Sequence, residues 1–216
     1  MTATLVKTCA IRGIVSALPS PIEGLDALSQ RFDREDIKKI AAATGIYARH
    51  IVPEGQTAAD LGLYAAKALL DKLGWDPTSI GLLIFVTQTP DYPLPSNAHL
   101  IHRALNMASD CIAYDVNLGC SGYVYGLWQA TSLLGGLSKK RTLLIVGDTT
   151  STTMDQNDRA VAPLFGDAAT ATALEWDVNA AAMSISLGSD GTGAPYLIQK
   201  ESGTRTSGNP RSLFMD

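Results

Sequence analysis

The segment Asp115-Val-Asn-Leu-Gly-Cys-Ser-Gly-Tyr-Val-Tyr-Gly-Leu127 constrains this chain more than any other stretch. It reads as a short strand, Cys111 to Asn117, that turns on Gly119 and opens a helix from about Ser121 to Leu134, closed by Gly135-Gly136. Cys120 stands at the junction. There the positive end of a helix dipole and unpaired backbone N–H groups favour the thiolate, the nucleophilic form of the side chain. The same N–H groups are placed to hold the oxygen of a carbonyl under attack. Gly119 and Gly122 flank the cysteine, as expected where backbone packs closely or approaches a ligand. The arrangement parallels the strand–turn–helix elbow that presents a serine in other α/β enzymes, with sulfur in place of oxygen. Cys9 and Cys111 lie in strand-like runs and read as small buried hydrophobes.

The rest of the chain alternates strands with helices. Cys9 to Ser16 reads as a strand, Asp33 to Ala43 as a short polar helix ending near Gly45, and Ile80 to Thr87 as a strand apolar on both faces. Thr57 to Leu73 is an amphipathic helix with Leu61, Tyr64, Ala65, Ala68, Leu69 and Leu73 along its apolar stripe. A proline-rich loop from Pro90 to Pro95 leads to a helix near Ser96, and Thr142 to Val146 forms a further strand. Such alternation implies βαβ units around a mainly parallel sheet. After Gly166 the rhythm changes, and Ala168 to Trp176 with Ala181 to Leu187 reads as a terminal antiparallel pair. The Ser121–Leu134 helix has no charged residue and is apolar on every side, the pattern of a helix buried all round.

Composition narrows the function classes. At 216 residues, 46% hydrophobic and 18% charged, the chain has material for one well-filled domain or half of a larger enzyme. A formal charge of −4 speaks against nucleic acid as a partner. Three cysteines without a disulfide or metal spacing suggest a reducing compartment. No apolar run reaches the length of a membrane span, and the first residues do not read as a signal peptide, so a cytoplasmic address is expected. Lys139-Lys-Arg141 follows a helix end and reads as a solvated cap, with contact to an acidic carrier protein as the functional alternative.

Asp115 to Leu127 resembles the nucleophile segment of β-ketoacyl-acyl-carrier-protein synthase III, a branch of the thiolase-like condensing enzymes. Further segments resemble the family in the same order: Thr44-Gly-Ile-Tyr-Ala-Arg49, Ile84 to Pro90 with Pro95-Ser96, Leu144 to Asp148 with Ser151, Asp158-Arg159, Leu164 to Ala171, and Leu187 to Gly191. The resemblance implies the N-terminal half of a thiolase-like α/β fold, with a mixed, mainly parallel sheet and the nucleophile helix buried between layers. It implies a Cys-His-Asn triad of which only Cys120 falls within residues 1–216. The histidine and asparagine belong to a C-terminal half absent from this chain, and His50, His99 and His102 match no catalytic position.

Further roles come from the resemblance alone. Arg159 matches a contact to the adenine of coenzyme A; as a plain surface residue it would pair with Asp155 or Asp158. Leu94 falls where the family reaches across a homodimer interface to close the partner's acyl pocket. Phe165 and Met215 match pocket-lining positions, and core packing accounts for either equally well. Lys39 and Ala43 stand where the family usually has tryptophan and arginine, and Ala168 and Thr170 replace two of its glycines. The implied activity is acyl transfer from acyl-coenzyme A to Cys120 and decarboxylative condensation with malonyl-carrier-protein, in fatty-acid or related lipid or polyketide biosynthesis. Coenzyme A enters as substrate, and no permanently bound cofactor or metal is expected. Two other readings stand beside it: a non-catalytic half-enzyme or dimerisation partner, and a thiolase-like acyltransferase or thioesterase.

Overall fold

The computed structural model describes residues 2–199 and 213–215. In chain order the strands and helices are β1 (Thr2–Val6), β2 (Cys9–Ala17), β3 (Ile22–Gly24), α1 (Leu25–Leu28), α2 (Arg34–Thr44), β4 (Ala48–His50) and α3 (Ala58–Leu73). Then follow β5 (Leu82–Val86), α4 (Asn97–Ala104), β6 (Ile112–Val116), α5 (Gly122–Leu134) and β7 (Arg141–Thr149). The remainder is β8 (Asp167–Trp176), β9 (Met183–Leu187), β10 (Leu197–Gln199) and β11 (Leu213–Met215). They form two compact units. One comprises Met1–Ala17, Thr57–Asp148 and Ala168–Ser189; the other comprises Leu18–Gln56, Thr149–Asp167 and Asp190–Asp216.

The first unit is built on a mixed five-stranded sheet in the order β2-β8-β7-β5-β6. Strand β5 pairs in parallel with β6 and β7, and β2 pairs antiparallel with β8. All five residues of β5 are buried, as its unbroken apolar run requires. Side chains alternate between the faces. Leu82, Ile84, Val86 and Leu144 join Ala130 and Leu134 of α5 in one core cluster, while Phe85 and Ile145 lie against Gly62 of α3.

Helix α3 begins in a reciprocal capping box between Thr57 and Asp60 and ends on Gly74 at φ 62°, so its bounds follow from local chemistry. Its buried face differs from the expected stripe. Leu61, Gly62, Ala65, Ala66, Leu69 and Leu70 are buried, whereas Tyr64 is exposed. The face centres on Gly62, where a Cβ would sit 2.8 Å from Ile145 Cγ2. Small residues set the approach of helix to sheet here, and a stripe drawn through the large side chains falls to one side of it.

The expected pairing of the last two strands with each other is overturned. Strand β8 pairs with β2, and β9 pairs with β1, both antiparallel. Strand β8 has β2 on one edge and β7 on the other, which leaves no edge for β9. The two ladders form successive lengths of one ribbon, bridged at the corner by the Asp177 N–H donating to the Thr8 carbonyl at 3.0 Å.

Basic residues 139–141 are held locally. Lys140 donates to the Gly135 carbonyl at 2.6 Å and lies over the Trp176 ring, Lys139 pairs with Asp110, and Arg141 stacks on Trp75 and pairs with Glu175. The helix-capping reading fits these contacts. Among the described residues no helix is long and apolar enough to cross a membrane.

In the second unit, β3 pairs with β4 and β10 with β11. Asp33 caps α2 by accepting from the N–H groups of Glu35 and Asp36 at 2.9 and 3.0 Å, and Gly45 closes it at φ 77°. Arg49 is buried, donating to Glu23 and to the Phe165 carbonyl at 2.6 Å. Buried Asp167 accepts from the N–H groups of Val52 at 2.8 Å and Ser151 at 3.0 Å, and from the Ser151 hydroxyl. Two loops of this unit are thereby fixed through charged hydrogen bonds rather than apolar area.

Two stability predictions follow from the first unit's core. A Cβ on Gly147 would lie 2.5 Å from Ala169 Cβ, 2.7 Å from its Cα and 2.8 Å from the Ala168 carbonyl oxygen. Because backbone must move to relieve this, Gly147→Ala costs about 3 kcal/mol in urea denaturation; parent-like stability would contradict the packing. Burial pushes the Cys9 and Cys111 thiols up from 9.0 to about 11, only partly offset by Arg12 and Lys139 respectively. The unfolded chain loses these protons first, so their contribution is fully present below pH 9 and disappears as pH rises through about 11. Each raised thiol accounts for about 2–3 kcal/mol of that alkaline loss. Cys9→Ala and Cys111→Ala therefore flatten the decline of stability across this range.

Candidate active site

Strand β6 delivers the chain to the turn carrying Cys120. Asp115 within β6 accepts from the N–H groups of Asn97 and Ala98 at 2.6 and 2.7 Å, tying the start of α4 to the strand. The Thr87 N–H donates to the Val116 carbonyl at 3.0 Å, which holds the ends of β5 and β6 together. Beyond Val116 the chain turns, and the Gly122 N–H donates to the Gly119 carbonyl at 2.7 Å. Helix α5 starts at Gly122 with Ser121 as its N-cap, and this start has no side-chain cap.

Cys120 is exposed in that turn, while Cys9 and Cys111 are buried free thiols. Its position at the amino end of α5 is the one expected from the sequence. Gly119 and Gly122 serve close packing, as expected from the sequence. Positive φ among described glycines occurs at Gly45, Gly55 and Gly74, so neither Gly119 nor Gly135 is needed for left-handed backbone. Instead they admit neighbours. A Cβ on Gly119 would meet Gln88 Oε1 at 2.5 Å, one on Gly122 would meet Val86 Cγ1 at 2.6 Å, and one on Gly126 would meet Leu144 Cδ1 at 2.7 Å. A Cβ on Gly135 would meet Trp176 Cζ3 at 2.8 Å.

One face of α5 is thus seated on β5, through buried Gly122, Gly126, Ala130 and Leu134. Its other sides are covered unevenly within this chain. Tyr125 donates to the Gly188 carbonyl at 3.1 Å, and Leu127 and Trp128 are half-buried, but Val124 and Leu133 are 40% and 45% exposed. A cavity of about 250 Å³ lies beside the helix between Tyr125, Trp128, Thr4 and Leu187.

The same end of the sheet holds a group that sequence reasoning missed. Asp148, near the end of β7, accepts through Oδ1 from the Gln88 N–H at 2.6 Å, the Thr87 hydroxyl at 2.9 Å, and the Thr89 N–H and hydroxyl at 3.1 and 3.2 Å. Burial pushes its carboxyl above the ordinary value, against the opposing pull of these donors. The available signal was a carboxylate at the carboxyl end of a parallel strand, where ligands of open α/β sheets gather.

The other proposed site residues are distributed between the units. Leu94 is in the first unit, 82% exposed, in the loop before α4. Arg159 and Phe165 are in the second. Arg159 pairs with Asp36 of α2, correcting the expected partners Asp155 and Asp158. It borders an open cavity of about 440 Å³ lined also by Asp36, Lys39, Ile40, Ala43 and Leu164. Phe165 is half-buried and its carbonyl is held by Arg49. Met215 lies in β11, and its side chain falls outside the described residues. The histidines have local partners: His50 with the Pro19 carbonyl, His99 with the Ser96 hydroxyl and His102 with the Ala108 carbonyl.

Comparison with known proteins points one way. The family described as 3-oxoacyl-[acyl-carrier-protein (ACP)] synthase III matches residues 114–191. A β-ketoacyl-[acyl-carrier-protein] synthase III of Cereibacter sphaeroides is 37% identical over 211 residues, covering 93% of this chain and 64% of the relative. Another, from Neisseria meningitidis, is 38% identical over 164 residues, covering 76% of this chain and 51% of the relative. The crystal structure of 3-oxoacyl-(acyl-carrier protein) synthase from Burkholderia xenovorans LB400 matches with a TM-score of 0.94 at 38% identity, over 100% of this chain and 64% of that one. A second 3-oxoacyl-(acyl-carrier-protein) synthase III structure matches at 0.87 and 33% identity, over 97% of this chain and 67% of that one. The chain therefore spans about half to two-thirds of the length of these relatives. With its α/β fold and mixed central sheet, the chain belongs to the 3-oxoacyl-[acyl-carrier-protein] synthase III family of thiolase-like proteins.

Proposed function

We propose that this chain carries the nucleophile of a 3-oxoacyl-[acyl-carrier-protein] synthase acting in fatty-acid or related biosynthesis. The observation that supports it most is the exposure of Cys120 at the uncapped amino end of α5, while the other two cysteines are buried. The thiolate of Cys120 attacks the carbonyl of an acyl-coenzyme A thioester. The carbonyl electron pair moves to oxygen, then returns as coenzyme A leaves as its thiolate, giving an acyl-enzyme. Backbone N–H groups at the start of α5 are suited to hold the transient oxyanion. Malonyl-carrier-protein then loses carbon dioxide, and the resulting carbanion attacks the acyl-enzyme carbonyl. Cys120 departs as thiolate, leaving a β-ketoacyl-carrier-protein. This chemistry needs no resident metal or redox group.

In this reading the histidine and asparagine that stabilise the enolate come from a second half of the enzyme. The greater length of the relatives and the exposed Val124 and Leu133 support that assignment. Leu94, highly exposed beside α4, suits a homodimer contact at the partner's acyl pocket. Arg159, Phe165 and Met215 are assigned to substrate contacts, and a cytoplasmic address accompanies the whole reading.

The test is acylation. Incubation with a medium-chain acyl-coenzyme A followed by peptide mass mapping places the adduct on Cys120 and spares Cys9 and Cys111, whose thiols burial pushes up to about 11. Cys120→Ser, a hydroxyl without a general base, lowers acylation by about 10²–10⁴-fold. An adduct on Cys9 or Cys111 instead would remove Cys120 from its role.

A further inference from the structure

Three loops meet where β5, β6 and β7 end, and their contacts form a chain that reaches the cysteine turn. Asp148 concentrates four donors on a single oxygen, two backbone N–H groups and two hydroxyls, all from Thr87, Gln88 and Thr89. A turn held at every residue by one carboxylate has little freedom to pivot. Asp148 is itself fixed from behind, since Gly147 is pressed on Ala169 and β7 lies beside β8 in the sheet. The turn directs Gln88 outward, and Gln88 is exposed. Yet its carboxamide does not extend into water. Its Oε1 lies 2.5 Å from where a Cβ on Gly119 would be, and Cδ and Nε2 lie within 3.1 and 3.6 Å of the same point. The whole amide therefore occupies the side-chain space of the residue immediately before Cys120.

On the other side of the cysteine, the Gly119 carbonyl closes the turn by accepting from the Gly122 N–H, and Gly122 rests on Val86. Cys120 sits between two points that the fold holds in place, one on Val86 and one on Gln88. The Val86 contact comes from the helix seat. The Gln88 contact depends on a turn whose backbone Asp148 fastens.

We infer that Asp148 is a positioning residue for Cys120, acting through Gln88, whose carboxamide braces Gly119 and holds the cysteine turn against the start of α5. The inference rests on Cys120 being the nucleophile, but its test does not require an acyl donor. Cys120 is already exposed, so access to a small reagent does not limit its reaction. Loosening the turn instead changes where the sulfur stands relative to the amino end of α5, on which the reactivity of a helix-terminal thiol depends.

The experiment measures the second-order rate constant for alkylation of Cys120 by iodoacetamide, at fixed pH, with adducts located by peptide mass mapping. The variants are Gln88→Ala, Asp148→Asn, Asp148→Ala and the double variant Gln88→Ala/Asp148→Asn, each compared below its own melting transition. Gln88→Ala and Asp148→Asn each lower the rate by about fivefold or more, and the double variant is no slower than the slower single. Gln88 is a surface residue, so its variant keeps the fold even where Asp148→Ala does not. Rates within twofold of the parent in Gln88→Ala, or single effects that multiply in the double variant, overturn the inference. A lowered melting temperature with an unchanged alkylation rate assigns Asp148 to fold stability alone and overturns it equally. Failure of acyl-coenzyme A to acylate the parent, together with the alkylation pattern above, would instead sink the acyl-donor reading and leave the brace intact.

Discussion

The close seating of two helices on opposite faces of β5 governs the first unit. Gly62 of α3 admits Ile145 and Phe85 on one face, and Gly126 of α5 admits Leu144 and Val86 on the other. A methyl group at either position would collide with fully buried side chains that have no free volume to move into. Strand β5 is buried on both sides for this reason, and its apolar run follows from it. The same seating fixes the height of α5 above the sheet. That height decides how far the turn at Cys120 projects beyond the strand ends, so packing in the core sets the geometry of that turn.

The second unit relies on a different device. Its strands are short, and two buried charged residues organise the loops between them. Arg49 links Glu23, Gln156 and the Phe165 carbonyl, and Asp167 links Val52 to Ser151. Removing one partner of such a group strands a buried charge, which costs more than the contact itself contributes. Phe165 is therefore placed by its backbone, through Arg49.

What the sequence discloses follows the range of the interaction. Helices α2 and α3 were legible almost to the residue, because Asp33, Thr57, Gly45 and Gly74 act on backbone groups within four positions of themselves. Cys120 was legible for the same reason: strand, turn and helix are contiguous. The partners of β8 and β9 were not, since β1 and β2 lie more than 150 residues earlier and only tertiary pairing selects them. Tyr64 was placed on the wrong face because periodicity follows large apolar side chains, whereas α3 makes its contact through the small ones. Asp36 as the partner of Arg159, across 123 positions, and Asp148 as the anchor of Thr87–Thr89 are likewise invisible until the chain is folded.

The three thiols show how placement gives one residue type two environments. Cys9 and Cys111 sit at the start of strands, where burial favours the neutral form and pushes both up to about 11. Cys120 sits past the end of a strand, where the backbone has left the sheet and the first turn of α5 has N–H groups without a side-chain cap. Parallel strands deliver their carboxyl ends to one edge of the sheet, and that edge is where β5, β6 and β7 supply Gln88, Cys120 and Asp148. An antiparallel neighbour would have divided these residues between opposite edges. The parallel core therefore brings Gln88, Cys120 and Asp148 to one edge from segments 28 to 60 residues apart.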